Sequence, residues 1–461
     1  MNNKSALIIA AVATVFAGNA FAVATAEEAK ALGNTLTPWG AEKAGNKEGT
    51  IPAYTGEPIK VPASYDRSKP GQHTDPFGGE KPLFTITAQN YTQYASKLDG
   101  MADMFKKFPN YRMDVYTTHR NTVFPKYVLD NSIKNATSCR GEAGGQRLEG
   151  CYSGLPFPIP KVGIEVMWNH LLGFQARSVN GLIENFVTPT SGDPVLQVRT
   201  LVSLYYPFYD PSRTTPWPSD ISYYKVRVAD QAPARQAGGG TILVDPLDYT
   251  TGGRRAWQYI PGQRRVKLAP DLAYDTPSPY SGGSNTMDDQ DVFLGAMDRF
   301  DFKLVGKKEK YIPYNNFALS DFKTCPNKVV YANKNFPLPS CVRWELHRVW
   351  VVEATLKPQL RHIYKRRMFY FDEDATATGL AENYDASGAL YRVLIGYWVP
   401  FYEAPGGVGG AISFFNTDLQ SGVVGTGGLG ACEQSNCGYT STADRPSDYF
   451  SPEAMAGDGV R

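Results

Sequence analysis

Two histidines and a run of arginines are the densest potential chemistry in the chain. His347 and His362 fall on two candidate neighbouring strands among Arg343, Arg348, Arg361, Arg366 and Arg367. Imidazole titrates near neutrality and guanidinium grips anions with paired N–H groups, so this group could serve an anionic ligand. A polar cross-strand group on a solvent-facing surface is the simpler account. Asp372, Glu373 and Asp374 close the arginine-rich strand and offer the paired carboxylates of general acid–base catalysis. Beside Gly and Thr at a strand end, a turn explains them more simply.

Asp288, Asp289 and Asp291 precede Val292, Phe293, Leu294 and Met297, which reads as the acidic first turn of a short helix. A calcium loop would need alternating oxygen ligands and a bidentate Glu further on. Gly425, Gly427 and Gly430 spell G-x-G-x-x-G, but Ala431-Cys432 follows where a dinucleotide loop should open a helix. A flexible glycine loop ending in a disulfide is expected there. The sequence contains neither G-x-S-x-G nor H-E-x-x-H, and its five histidines have no triad spacing. No catalytic residue, metal site or cofactor is assigned.

The six cysteines form three sequence-local pairs, Cys139 with Cys151, Cys325 with Cys341 and Cys432 with Cys437. Six cysteines allow about 15 connectivities; local pairing closes three separate loops and is the expected one. A metal site is disfavoured, because no C-x-x-C occurs and the spacings do not gather four ligands.

The elements that would position these groups begin with an address. Lys4, the uncharged stretch Ala6 to Ala17 and Ala20-Phe21-Ala22 read as a secretory signal peptide cut after residue 22. No later stretch has the roughly 20 apolar residues of a membrane span. The expected location is the periplasm, without a lipid anchor because no cysteine sits at the cleavage site, in possible association with the outer membrane. The 47 basic and 45 acidic residues give a net charge of +2, which excludes a polybasic nucleic-acid module. The 28 Tyr, 23 Phe and 7 Trp favour strands.

The 461 residues would suggest roughly three domains. The pattern instead reads as one large domain over 23–461, with a Pro/Gly-rich extended arm at 36–80 and a glycine-rich, disulfide-containing tail at 406–461. Helices are expected from Thr87 to Phe105 and over Ile164–Gln175, where apolar residues recur at spacings of three and four. From Leu196 to Tyr206 the period changes to two, which places Val198, Val202 and Leu204 on one face of a strand. Further strands are expected at 222–228, 241–244, 254–261, 264–268, 303–305, 342–356, 359–371 and 389–400, joined largely by hairpin turns. In RRAWQYIPGQRRVKL (254–268), Trp257 and Tyr259 share a face while Arg254, Arg255, Arg264 and Arg265 supply charge.

That hairpin resembles one recurring in exported proteins related to the periplasmic and outer-membrane lipoprotein-sorting carriers, the LolA/LolB-like superfamily. Together with LTPWGAEKAGNKEGTIPAYTG (36–56) and YKRRMFYFDEDA (364–375), it is similar to a large secreted, functionally uncharacterised family of Gram-negative bacteria within that superfamily. The resemblance implies an α+β, β-rich fold: a curved antiparallel sheet forming an incomplete β-barrel, with helices closing the concave face around an apolar cavity. It also implies a role in envelope transport beside a resistance-nodulation-division (RND) type exporter and an outer-membrane protein.

The expected function is a carrier for a lipid or other hydrophobic small molecule, not an enzyme. Val198, Val202, Leu204, Trp257 and Tyr259 are expected to line the cavity, with Arg254, Arg255, Arg264 and Arg265 at its rim for head groups or a partner. The alternatives are a non-catalytic interaction module with a filled core, docking through its arm and tail, and an envelope hydrolase built on His347, His362 and Asp372. An open apolar cavity inside the sheet would discriminate the carrier from the module, and a titratable cluster inside that cavity would favour the hydrolase.

Overall fold

The computed structural model describes residues 23–404, 410 and 413–458. The expected signal peptide lies outside the described residues. At the centre is a sheet of 16 strands, antiparallel at every junction except a single contact between Trp344 and Val115. One half runs from Phe300–Pro313 through Trp344–Leu356, Arg366–Asp372, Gly379–Tyr384 and Leu390–Tyr397. The other runs from Ser178–Thr188 through Val195–Tyr205, Ser222–Ala232, Gly240–Pro246, Arg255–Ile260 and Arg265–Leu268. The outermost strands do not pair with each other, so the curved sheet is an incomplete barrel.

The halves are joined by the segment read from sequence as an aperiodic tail. Ser413–Asp418 pairs with Leu390–Tyr397, and Val424–Gly427 bridges Ser413–Asp418 to Ser178–Thr188. Gly438–Ser441 adds to the first half of Ser178–Thr188. Glycine has low strand propensity, which hid Val424–Gly427 and Gly438–Ser441; the close approach of neighbouring groups is what selects it. At Gly438, φ is +83° and a Cβ would lie 2.0 Å from the Gly71 carbonyl oxygen, so the glycine lets the arm lie against the sheet.

The expected helix from Thr87 to Phe105 is broken up. Phe84–Thr87 is a strand, 3₁₀ turns span Tyr91–Lys97 and Asp99–Met101, and only Ala102–Lys107 is α-helical. Asp99 sits in the left-handed region at φ 52° and Gly100 lies against the Glu382 carboxylate, which ends the regular period. The three-residue strand expected at 303–305 is a 14-residue strand, Phe300–Pro313, whose lysines are accommodated by ion pairs with Glu373, Asp99 and Glu382.

The helix Gly163–Leu171 is buried at all nine positions, the signature of a core helix with no solvent face. Glu165 accepts hydrogen bonds from the N–H groups of Lys161 and Val162 and so satisfies its first turn. The helix packs on the concave face with Val202, Leu204, Val352, Phe369 and Leu394. The opposite face of the Trp344–Tyr397 half is covered by residues from the 84–115 and 317–342 segments. The arm follows an extended path without regular strands, and disulfides join Cys139–Cys151, Cys325–Cys341 and Cys432–Cys437.

Candidate functional site

The cavity forms where strand register brings small apolar side chains together. Val202 lies opposite Val228 and Leu204 opposite Val226, while Val226 and Val228 lie opposite Leu243 and Thr241. These residues share the concave face because side chains alternate along a strand. The loop carrying Ser278, Tyr280, Asn285 and Asp291, together with Gly427, Gly428 and Tyr439, closes a cavity of about 100 Å³ over them. Gly427 permits this closure, since a Cβ there would lie 2.3 Å from the Phe414 ring.

A second pocket of about 200 Å³, lined by Val198, Gln258, Tyr259 and Ile260, shares Thr241 and Tyr280 with the first. The Tyr280 hydroxyl is hydrogen-bonded to that of Thr241. Together the two spaces reach the lower end of the roughly 300–1,000 Å³ typical of ligand pockets.

The expected cavity residues therefore separate. Val202 and Leu204 line the first space, and Val198 and Tyr259 line the second. Trp257 pairs in register with Ile242, one position out of phase with Leu243. It faces the other side of the sheet, as does the Tyr259 ring two residues on, and the two pack with Ile242, Val244 and Met455, the last from the helix Pro452–Asp458.

The four arginines also separate. Arg254 is turned inward, its side chain 3% exposed, and donates to both Asp245 oxygens at 2.8 Å. Arg255, Arg264 and Arg265 are exposed on the hairpin. An arginine beside a strand that turns inward needs a buried acid, and Asp245 stands nine residues away in a different strand, which spacing alone did not reveal.

Of the groups expected on a solvent-facing surface, Arg361 is exposed and Arg366 partly so, but His347, His362, Arg343, Arg348 and Arg367 enter two buried charge networks. These lie on opposite faces, because Arg367 and Asp372 are an odd number of residues apart on one strand. On the concave side Arg367 donates to Asp288 and Asp289, each at 3.0 Å, and to Asn383 at 2.9 Å. Asp288 and Asp289 lie in a 3₁₀ turn, Met287–Asp289, where the acidic first turn of a short helix was expected. His362 approaches Asp288 at 2.9 Å and the Tyr364 hydroxyl donates to Asp289 at 2.8 Å.

On the convex side His347 lies 3.2 Å from Glu345 and 3.4 Å from Asp372. Burial disfavours the imidazolium, but Asp372 and Glu345 outweigh it and hold the pKa up at about 10. Donor atoms of His347, Asp372 and Asp374 come within 4.8 Å of one another, a metal-like grouping. Arg120, however, donates to both Asp374 oxygens at 2.7 and 2.8 Å, and Lys307 pairs with Glu373 at 2.8 Å. The acidic trio is thus engaged by internal cations.

Asp291 was missed as a site residue. It lines the cavity beside Tyr224 and Tyr439, whereas Asp288 and Asp289 of the same acidic run face Arg367. Its backbone explains the divergence: φ is 49° at Asp291 and 75° at Val292, values rare for a β-branched residue. Val292 and Phe293 are anchored in the core, and His170 of the Gly163–Leu171 helix reaches the Phe293 carbonyl at 3.1 Å. Burial pushes the His170 imidazole down to about 4.

Residues 85–456 match the model of a family described as "protein of unknown function (DUF1329)". The chain belongs to that family. An uncharacterised protein of Pseudomonas aeruginosa is 41% identical over 397 residues, covering 85% of each chain. Among solved structures, a putative outer-membrane lipoprotein-sorting protein domain from Vibrio parahaemolyticus aligns with 60% of this chain and 91% of its own, at 13% identity and a TM-score of 0.39. A DUF1329 family protein from Desulfovibrio piger aligns with 61% and 92%, at 12% identity and 0.35. A LolA superfamily protein from Nitrosomonas europaea aligns with 64% and 100%, at 11% identity and 0.36. Among the described residues, no helix is long and apolar enough to cross a membrane.

Proposed function

We propose that this DUF1329 protein is a non-catalytic carrier of a lipid or other hydrophobic small molecule in the periplasm, working beside an RND-type exporter and an outer-membrane protein. The observation that carries the reading is the cavity between the valine- and leucine-lined strand face and the 278–291 loop. Each methylene removed from water stabilises binding by about 0.8 kcal/mol, so a short alkyl segment gains several kcal/mol without any reacting group. The titratable clusters at His347, His362 and Asp372 are satisfied internally and do not line this cavity, which favours carriage over hydrolysis.

Organic extraction of the purified protein followed by mass spectrometry tests the reading. A co-purifying or exchangeable amphiphile is expected; finding neither overturns it. The hydrogen bond between Tyr280 and Thr241 stands between the two spaces. Tyr280→Ala should merge them and raise affinity for a 14-carbon chain relative to an 8-carbon chain by about tenfold, the value of roughly two further buried methylenes. Unchanged chain-length preference in a competition assay would show that the second pocket takes no part.

The arm is the proposed docking surface for the partner proteins. Residues 55–64 are largely exposed, whereas the flanking parts are tied down: Asn46 donates to Glu309 at 2.9 Å, and His73 meets Glu403 at 2.8 Å. Substitutions in the exposed stretch therefore probe docking more cleanly than deletion of the arm.

A further inference from the structure

Asp291 is the one carboxylate lining the space of about 100 Å³, whereas Asp230 lines the second. Among the described residues no hydrogen bond or ion pair reaches its side chain, although its neighbours Asp288 and Asp289 hold three or more partners between them. Arg254 comes close enough to donate to the Leu294 carbonyl at 3.3 Å, but its charge is held by Asp245. Asp291 is half-buried, unlike the buried Asp288 and Asp289. A carboxylate partly withdrawn from water without a protein partner is held at a cost, and two successive left-handed residues hold this one in place. Backbone of that kind is retained where the surrounding structure over-determines it, and it clusters at ligand clamps.

The groups around the carboxylate are aromatic. Tyr224 and Tyr439 line the same cavity, and burial raises their phenols and that of Tyr206, with the Asp291 charge adding to it at all three. A carboxylate flanked by tyrosine rings attracts an organic cation through both charge and ring faces. It repels a fatty acid or a sulfate ester by the same logic. The remainder of the wall, Ile183, Val202, Leu204, Val226 and Leu243, suits an alkyl chain.

We propose that the cavity takes an amphiphile bearing an ammonium group, which pairs with Asp291 between Tyr224 and Tyr439 while the alkyl chain lies along the valine and leucine wall. This rests on the carrier reading and names the ligand class for the same site. Burial raises the Asp291 carboxyl to about 6, so it is mostly ionised at neutral pH and is neutralised by pH 5. The titratable groups facing it are the three phenols, which stay protonated throughout, and His170, which contacts its backbone and titrates near 4.

The test is calorimetric binding of decylamine, decanol and decanoate to the purified protein and to its Asp291→Asn variant. The native protein should bind decylamine about tenfold or more tightly than the other two, the usual gain from a charged hydrogen bond. The preference should shrink on moving from pH 7.5 to 5. In D291N, a native circular-dichroism spectrum and a cooperative unfolding transition certify the fold, and the amine preference over decanol and its pH dependence should both be lost. Binding of all three probes without preference, or an amine preference that survives in D291N, overturns the ammonium proposal and leaves the carrier reading standing. Failure of the native protein to bind any of the three overturns both.

Discussion

Arg367→Met should destabilise the protein by about 3–5 kcal/mol, the usual result of removing one member of a fully buried ion pair, read as a lower midpoint in urea unfolding. The Arg367 side chain has no solvent exposure, and its three donors meet Asp288, Asp289 and Asn383. Its guanidinium also stacks within about 5 Å of the Phe293, Tyr364 and Phe369 rings. Methionine fills much of the volume, so the loss comes from two carboxylates left in a low-dielectric site. Burial disfavours ionised Asp288, but Arg367 and His362 outweigh it and hold its pKa well below the ordinary range. The triple variant D288N/D289N/R367M should recover part of the loss because no uncompensated charge remains. A single variant within about 1 kcal/mol of the native protein would show that water reaches this network. Since the same loop carries Asp291, R367M should also weaken ligand binding.

Stability should fall as pH rises from neutrality to 10, and His347→Gln should remove that dependence. The folded His347 pKa, about 10, is above that of a free imidazole. A raised histidine contributes stability in full below the unfolded value of about 6.5, and this is lost as pH climbs through the folded value. Asp372 acts in the same direction. Burial and the neighbouring Asp374 raise it against the pull of His347, so its ionisation above the ordinary carboxylate range also costs stability. At pH 7, H347Q should lose about 3–5 kcal/mol, because Glu345 and Asp372 no longer share a cation. The comparison that decides is the unfolding free energy of native protein minus that of H347Q between pH 6.5 and 10. A flat difference would mean that His347 is neutral in the folded state.

Much of the sheet was legible because alternation survives in strands with one buried face. Val195–Tyr205 keeps Val198, Val202 and Leu204 buried and Leu201 exposed, and the hairpin over 254–268 turns where Pro261 and Gly262 stand. Legibility failed where the determinant was non-local. The strand at 424–427 reads as loop because its glycines, Gly425 and Gly427, answer to Ser284 and Phe414, more than a hundred residues away in one case and on the paired strand in the other. The histidine and arginine group read as surface because no spacing rule announces a buried counter-charge contributed from another segment.

Composition and period by themselves determined a β-rich chain and the phase of its main strands, spacing pointed to the local cysteine pairs, and the resemblance of three motifs pointed to the family. Each depends on neighbours within a few residues, and sequence records those directly. Tertiary structure alone decided which phase faces the cavity. It turned Trp257 to the opposite side from Val202, drew Arg254 inward to Asp245, and separated Asp291 from the two aspartates beside it. The physical reason is shared by all three: an apolar wall, a buried ion pair and an unpaired carboxylate are defined by what lies across the sheet, and register and loop backbone set that only once the chain has closed on itself.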